Sequence, residues 1–235
     1  MVRMAIVTFP GSNCDYDCFK AAELVGMEPR FVWHREASIG DADVVVLPGG
    51  FSYGDYLRAG AIARFSPIMQ DVIRFAQDGR PVLGICNGFQ ILCEAGLLPG
   101  ALVRNASLQF ASRAIYVRIE RADTIYTSEY EVGDVLQLHI AHGMGNYVAD
   151  DDVLELLEAD NRVVFRYVDR EGVENEAGNP NGSMHNIAGI INDAGNVLGL
   201  MPHPERSVEL ILGSEDGRGL FESLFVAKQQ LVSLS

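Results

Sequence analysis

Short apolar runs that each end in a glycine-rich turn constrain the fold of this chain most strongly. Met4–Phe9, Asp43–Leu47 and Val82–Ile85 have strand length and no polar alternation, which is typical of strands buried on both faces of a parallel sheet. The helical stretches that alternate with strands are Asp15–Val25, the segment from Ser66-Pro67 to Asp78-Gly79, and Phe89–Ala95. We therefore predict an α/β fold with an open, mostly parallel sheet, right-handed crossovers and helices on both faces.

The second half of the chain carries a different pattern. Ala101–Glu120 and Val135–His139 alternate between apolar and polar residues, which predicts antiparallel hairpins at the sheet edge. The polar stretch Asp169–Ser183 predicts a surface connection. Further strands are expected at Phe31–Trp33, Ile187–Ile191 and Val197–Met201, and two helical segments at the end of the chain. With neither a repeat nor a linker, residues 1–235 are interpreted as one domain.

Three glycine-rich turns follow strand ends: Pro10-Gly11, Pro48–Gly50 and Gly84–Gly88. Ligands of open parallel sheets bind outside the carboxyl ends of the strands. We therefore expect all three turns to rim one crevice.

Composition excludes several classes of partner. The net charge of −14, from 18 basic and 32 acidic residues, disfavours nucleic acid and anionic lipid. No apolar run approaches the roughly 18 residues of a membrane span, and the N-terminal run is too short for a signal peptide, so a cytoplasmic protein is expected. The lysines, Lys20 and Lys228, follow no glycine-rich turn, so there is no P-loop. Cys14 and Cys18 lack the further ligands of a zinc site, and no metal is expected.

Cys86 is the candidate nucleophile. It lies in a Gly-X-Cys-X-Gly turn between an apolar strand and a helix, with Gly84 and Gly88 predicted to permit a strained turn. A sulfur at a helix N-terminus is favoured as thiolate, which suggests acyl transfer through a thioester.

A cysteine nucleophile needs a base and a group that orients the base. His203 follows Val197–Met201 directly between two prolines, and Glu205 should project to the same side in an extended segment. His142, in a glycine-rich loop, is the competing base. The backbone N–H groups of Gly50 and Asn87 are the expected oxyanion donors.

With Cys86, His203 and Glu205 in this order, the chain resembles the class I (triad) glutamine amidotransferases, which are flavodoxin-like. The motifs that carry the resemblance are Leu47–Gly50, Gly84–Gln90 and Pro202–Glu205. Further stretches resemble the separate glutaminase subunits of phosphoribosylformylglycinamidine synthase: Phe9–Asp15, Gly50–Tyr56, Gly60–Phe65, Asn179–Ser183 and Met201–Arg206. The match runs through essentially the whole chain in order and spacing.

The resemblance implies that Cys86 forms a thioester with glutamine and that His203 serves both half-reactions. Gly49, Gly50 and Gln90 would bind the substrate. Ammonia would pass to a large synthetase subunit that amidates formylglycinamide ribonucleotide in purine biosynthesis, with a small accessory subunit in the same complex. This subunit would hold no cofactor, and ATP and magnesium would bind the synthetase.

Three positions depart from the family pattern, which often has Glu at Met144 and Cys at Ala59 and Ala111. The aromatic stretch Phe51–Phe65 is hypothesised to be a mobile lid or docking surface, and Cys14 to lie near a partner surface. Rival interpretations are a stand-alone thiol hydrolase or peptidase of the same fold, a glutaminase subunit serving another synthetase, and a non-catalytic docking module.

Overall fold

The computed structural model describes residues 1–233, so the last two residues of the predicted domain 1–235 lie outside the described residues. Its strands are β1 Arg3–Thr8, β2 Glu28–Trp33, β3 Val44–Leu47, β4 Val82–Ile85, β5 Ala101–Val103, β6 Ala111–Ile119, β7 Val135–His142, β8 Asn146–Val148, β9 Val163–Val168, β10 Ile187–Ile191 and β11 Val197–Leu200. Its α-helices are α1 Asp15–Leu24, α2 Pro67–Gln77, α3 Asn87–Glu94, α4 Asp151–Ala159 and α5 Arg218–Ser233.

Nine of the strands form one mixed sheet in the order β2-β1-β3-β4-β11-β10-β9-β6-β7. The five strands from β2 to β11 are parallel, as the buried apolar runs predict. Every residue of β3 and β4 is buried, which requires that both faces of the sheet be covered. Helix α1 packs on β1 and β2, while α3 packs on β3, β4 and β11. The α/β prediction is confirmed.

The remaining strands of the large sheet pair antiparallel, so the predicted extension at one edge is confirmed. The interpretation of Ala101–Glu120 needs a correction: Ala101–Val103 is β5, which pairs with β8 in a separate two-stranded sheet. Strand β7 also runs three residues beyond the predicted Val135–His139. His142 therefore ends a strand, where the sequence suggested a loop.

Helix α4 and strand β9 were not predicted from the sequence. Strand β9 is buried throughout, yet it contains Arg166, whose charge interrupts the apolar run. The guanidinium of Arg166 donates to the Glu158 carboxylate on α4 and to the carbonyl oxygen of His185. A buried charge is unfavourable unless it is paired, and the Glu158 carboxylate, which lies outside the strand, pairs with Arg166.

Two of the three glycine-rich turns meet directly at the carboxyl ends of the parallel strands. The N–H of Phe51 donates to the carbonyl oxygen of Gly11 at 2.9 Å, and Ser12 forms an isolated bridge with Gly50. The third turn begins α3 against the end of β3. Within residues 1–233, no helix combines the length and the apolar content needed to cross a bilayer.

Candidate active site

Cys86 occupies a strained turn between β4 and α3. Its backbone has φ 51° and ψ −103°, a conformation that is unfavourable for a residue with a Cβ and persists only where the surroundings enforce it. One restraint is the Cys86 N–H, which donates to the carbonyl oxygen of Leu200 at 2.8 Å. The strain predicted for this turn thus lies on the cysteine itself.

Gly84 and Gly88 have a different role from the predicted one, because neither has a positive φ. A Cβ on Gly88 would lie 1.9 Å from the carbonyl oxygen of Leu47, and one on Gly84 would lie 2.5 Å from the Leu92 side chain. Both glycines therefore let α3 pack closely on the sheet. This packing fixes the helix N-terminus directly behind Cys86.

His203 and Glu205 form a buried pair at the end of β11. Nδ1 of His203 donates to Oε1 of Glu205 at 2.6 Å, and both side chains are almost fully inaccessible. Pro204–Arg206 is a 3₁₀ turn, so the predicted extended geometry is wrong even though the predicted pair forms. The N–H of His203 also donates to the carbonyl oxygen of His139 at 2.8 Å, which ties this loop to β7.

The electrostatic surroundings favour a protonated His203. Burial lowers the pKa of His203, but the Glu205 carboxylate and the Cys86 sulfur raise it, and the balance lies well above the ordinary histidine value. Nε2 of His203 has no hydrogen-bond partner among the described residues. The ring is therefore held by one nitrogen and has the other free for proton exchange.

Gly49 seats the His203 ring. A Cβ on Gly49 would lie 2.7 Å from Cε1 of His203 and 2.9 Å from Sγ of Cys14, so only glycine leaves room for both. Cys14 is 2% exposed, so its side chain is buried within this chain and does not itself form part of the surface. Its sulfur accepts a 3.0 Å hydrogen bond from Nη2 of Arg206. Cys14 therefore belongs to the immediate surroundings of His203.

Cys14, His203 and Glu205 are also the residues that could hold a metal, because their potential ligand atoms lie within 4.8 Å of one another. Two of them are already engaged with each other, and the sulfur faces the guanidinium of Arg206. A positive charge against the sulfur disfavours a cation at this position.

The two expected oxyanion donors are available. In the part of the chain that the structure describes, the N–H groups of Gly50 and Asn87 have no hydrogen-bond acceptor. Gly50 has φ +150°, and a Cβ there would lie 2.6 Å from the carbonyl oxygen of Gly11. A larger residue at position 50 would therefore displace the turn that presents its N–H.

A cavity of about 90 Å³ opens at the Cys86 sulfur and is lined by Gly50 and Gln90 as well. Gly49 does not line it, so the structure does not bring Gly49 to the place expected for a substrate contact. The Gln90 amide is held on both sides: Nδ2 of Asn87 donates to its Oε1 at 2.8 Å, and its Nε2 donates to the carbonyl oxygen of Met144 at 2.6 Å. Met144 thus contacts Gln90 through its main-chain carbonyl oxygen and not through its side chain.

His142 lines the same cavity as a neutral imidazole. Its Nδ1–H donates to Oδ1 of Asn105 at 3.1 Å, and the side chain of Asn181 lies 3.5 Å from Nε2. Burial and the nearby His203 lower the pKa of His142 to about 4. With no carboxylate to orient it, His142 lacks the arrangement of a base. The contact between His142 and Asn181 gives the motif Asn179–Ser183 a structural role beside the cavity.

The segment Phe51–Phe65 covers one side of the cavity. Its Tyr53 hydroxyl is anchored to Nδ1 of His34 at 2.8 Å and to Oγ of Ser66 at 2.9 Å, while Tyr56 is exposed. Asp55 lines the cavity, a contact that sequence reasoning missed. The ring of Phe110, also missed, lies 6.3 Å from that of Phe51 at the cavity rim.

Residues 1–219 match the family of CobB/CobQ-like glutamine amidotransferase domains. The chain is 59% identical over 223 residues to phosphoribosylformylglycinamidine synthase subunit PurQ of Salinibacter ruber, covering 94% of this chain and 95% of that protein. The protein of the same name from Chlorobaculum tepidum is 58% identical over 225 residues, covering 95% of this chain and 96% of that protein.

Solved structures are also similar to this chain. A chain in the structure of PurLQS from Thermotoga maritima superimposes with a TM-score of 0.86 at 44% identity, covering 97% of this chain and 99% of that chain. A glutamine amidotransferase from Thermotoga maritima shares the fold, with a TM-score of 0.54 at 19% identity over 99% of this chain and 94% of that chain.

Proposed function

We propose a mechanism for the site around Cys86 from the premise that the chain belongs to the CobB/CobQ-like glutamine amidotransferase domain family. The chain is an enzyme subunit that hydrolyses glutamine. Its function is that of the glutaminase subunit of phosphoribosylformylglycinamidine synthase, which supplies ammonia for purine biosynthesis. Which residues perform the reaction is our proposal.

In the first half-reaction, the Cys86 thiol passes its proton to Nε2 of His203, and the resulting thiolate attacks the side-chain amide carbon of glutamine. The carbonyl electron pair moves to the oxygen, which the N–H groups of Gly50 and Asn87 stabilise. His203 gives a proton to the leaving nitrogen, the C–N bond breaks, and ammonia departs from a γ-glutamyl thioester. In the second half-reaction, His203 takes a proton from water, which attacks the thioester. The C–S bond then breaks, the Cys86 thiolate leaves and takes the proton back from His203, and glutamate is released.

The single observation that carries this assignment is the state of His203. Glu205 holds Nδ1 at 2.6 Å, while Nε2 has no partner within the described chain. An imidazole fixed in this way can donate a proton in one step and accept one in the next, as both half-reactions require. Gly50, Cys86 and Gln90 line one cavity beside it, which supports their roles in binding glutamine.

The chain works with a synthetase subunit, which uses the ammonia. We propose in addition that the complex contains a small accessory subunit, and that ATP and magnesium bind the synthetase. The name PurLQS of the similar Thermotoga maritima structure supports an assembly of several subunits. The absence of a P-loop from this sequence agrees with ATP binding elsewhere.

The test uses Cys86→Ala in the assembled complex, with Cys93→Ala on the same helix as the matched control. We expect Cys86→Ala to abolish glutamine-dependent synthesis and to leave ammonia-dependent synthesis intact, whereas Cys93→Ala keeps both. Glutamine-dependent synthesis by Cys86→Ala, or loss of both activities in a complex that still assembles, would contradict the proposed roles.

A further inference from the structure

Asp55 lies in the most strained segment of the cavity wall. Tyr53, Asp55 and Leu57 all have positive φ, at 53°, 53° and 70°. Residues with a side chain rarely adopt this conformation, and each instance costs on the order of 1 kcal/mol. The anchored hydroxyl of Tyr53 helps to hold the turn in place. The turn thus presents Asp55 to the cavity against the local preference of the backbone.

The Asp55 side chain is half-buried, and one of its two carboxylate oxygens is unsatisfied. Its Oδ1 is buried and has no hydrogen-bond partner among the described residues, although the residue lines the cavity that contains the Cys86 sulfur. Burial raises the pKa of Asp55 to about 6, so the group is charged at neutral pH. An ionised carboxylate in such a place is unfavourable unless a cation or donors satisfy it.

Among the described residues, no basic side chain pairs with Asp55. Arg58 and Arg64, the basic residues of the same segment, both bind Glu94: Nη2 of Arg58 donates to its carboxylate at 2.7 Å and Nη1 of Arg64 to its carbonyl oxygen at 2.9 Å. Burial is the cause of the Asp55 pKa shift, with no charged neighbour contributing. A cationic group that enters the cavity would therefore meet a carboxylate oxygen that has no partner among the described residues.

We propose that Asp55 binds the α-ammonium group of glutamine and makes the site selective for amides that carry this group. The inference rests on the proposed function, in which the amide end of the same molecule reaches Cys86. Asp55 and Cys86 line the same cavity of about 90 Å³, so one small substrate bound there faces both residues. A carboxylate that meets an ammonium there forms a charge-assisted hydrogen bond in surroundings that screen it poorly.

The experiment compares glutamine with glutaramate, which has the same amide and carboxylate but no α-ammonium, as substrates of the assembled complex. We expect the parent complex to prefer glutamine by about 100-fold in kcat/KM. Asp55→Asn should raise the KM for glutamine about 100-fold, change kcat only a few-fold, and leave kcat/KM for glutaramate undiminished. Selectivity between the two amides is the readout, because a merely structural defect would affect both.

Asp78→Asn is the matched control, since it removes the same charge from an exposed position. Its kinetics should equal those of the parent. An equal loss on both substrates in Asp55→Asn, or a parent complex that uses glutaramate as well as glutamine, would overturn the role of Asp55. The second outcome does not depend on whether the variant folds. A parent complex that hydrolyses neither amide would instead refute the proposed function, and this inference with it.

Discussion

Glu205 accepts a 2.6 Å hydrogen bond from Nδ1 of His203, and neither side chain is accessible to solvent. This relationship sets both the orientation and the charge of the ring. Because burial opposes protonation, the Glu205 carboxylate is needed to keep the pKa of His203 above its ordinary value.

Glu205→Gln tests that dependence. The variant keeps the side-chain shape but removes the charge, so the pKa of His203 should fall and the leaving nitrogen should lose its proton donor. We expect kcat for glutamine hydrolysis in the assembled complex to drop about 10²–10⁴-fold. The measurement is the pH–rate profile, with Glu209→Gln, an exposed acid on the same loop, as the control. An unaltered profile would rule out the assigned role.

Gly49→Ala tests whether the proposed role of His203 depends on the close packing of its ring against Gly49. The added Cβ would lie 2.7 Å from Cε1 of His203 and 2.9 Å from Sγ of Cys14, so the ring must shift. Small misplacements of a reacting group cost about 100-fold in rate, and we expect a loss of that size in kcat. Gly79→Ala, where a Cβ meets open space, should alter stability at most. Glutaminase assays beside thermal denaturation separate the two effects; full activity of Gly49→Ala would show that the seat is not needed.

His142 predicts an acid-sensitive contribution to stability. Its folded-state pKa of about 4 lies below the ordinary value of 6.5, so below pH 6.5 the unfolded chain takes up a proton that the folded chain resists. Stability should therefore fall between pH 6.5 and pH 4 by about 3 kcal/mol from this residue. Urea unfolding of His142→Gln at pH 7.5 and at pH 5 should show a smaller loss of stability between the two pH values than the parent shows. Equal losses in parent and His142→Gln would contradict the burial of a neutral ring.

The parallel half of the fold could be predicted because its strands are uninterrupted apolar runs. Strand β9 could not, because Arg166 breaks the run and its burial depends on Glu158. The candidate site could be predicted for a related reason. Cys86, His203 and Glu205 follow the ends of predicted strands, and open α/β sheets bind ligands at the carboxyl ends of their strands.

Other parts of the site depend on conformations that residue types do not reveal. Gly84 and Gly88 in the turn around Cys86 suggested that the glycines have the strained backbone conformation, yet it is Cys86 that has the positive φ. Asp55 reaches the cavity through a turn in which Tyr53, Asp55 and Leu57 all have positive φ, and these residue types do not predict such a turn. Cys14 and His203 lie near opposite ends of the sequence, and only the folded chain shows that they are neighbours around Gly49.

Gln90 donates its hydrogen bond to the main-chain carbonyl oxygen of Met144. The bond therefore does not depend on which side chain residue 144 has. Every amino acid has that carbonyl, so relatives can exchange methionine for a carboxylate there without losing the bond. A survey of side chains alone would record a substitution beside the active site and miss that the interaction persists. Changes in chain length or backbone path between His142 and Asn146 are what would open this contact.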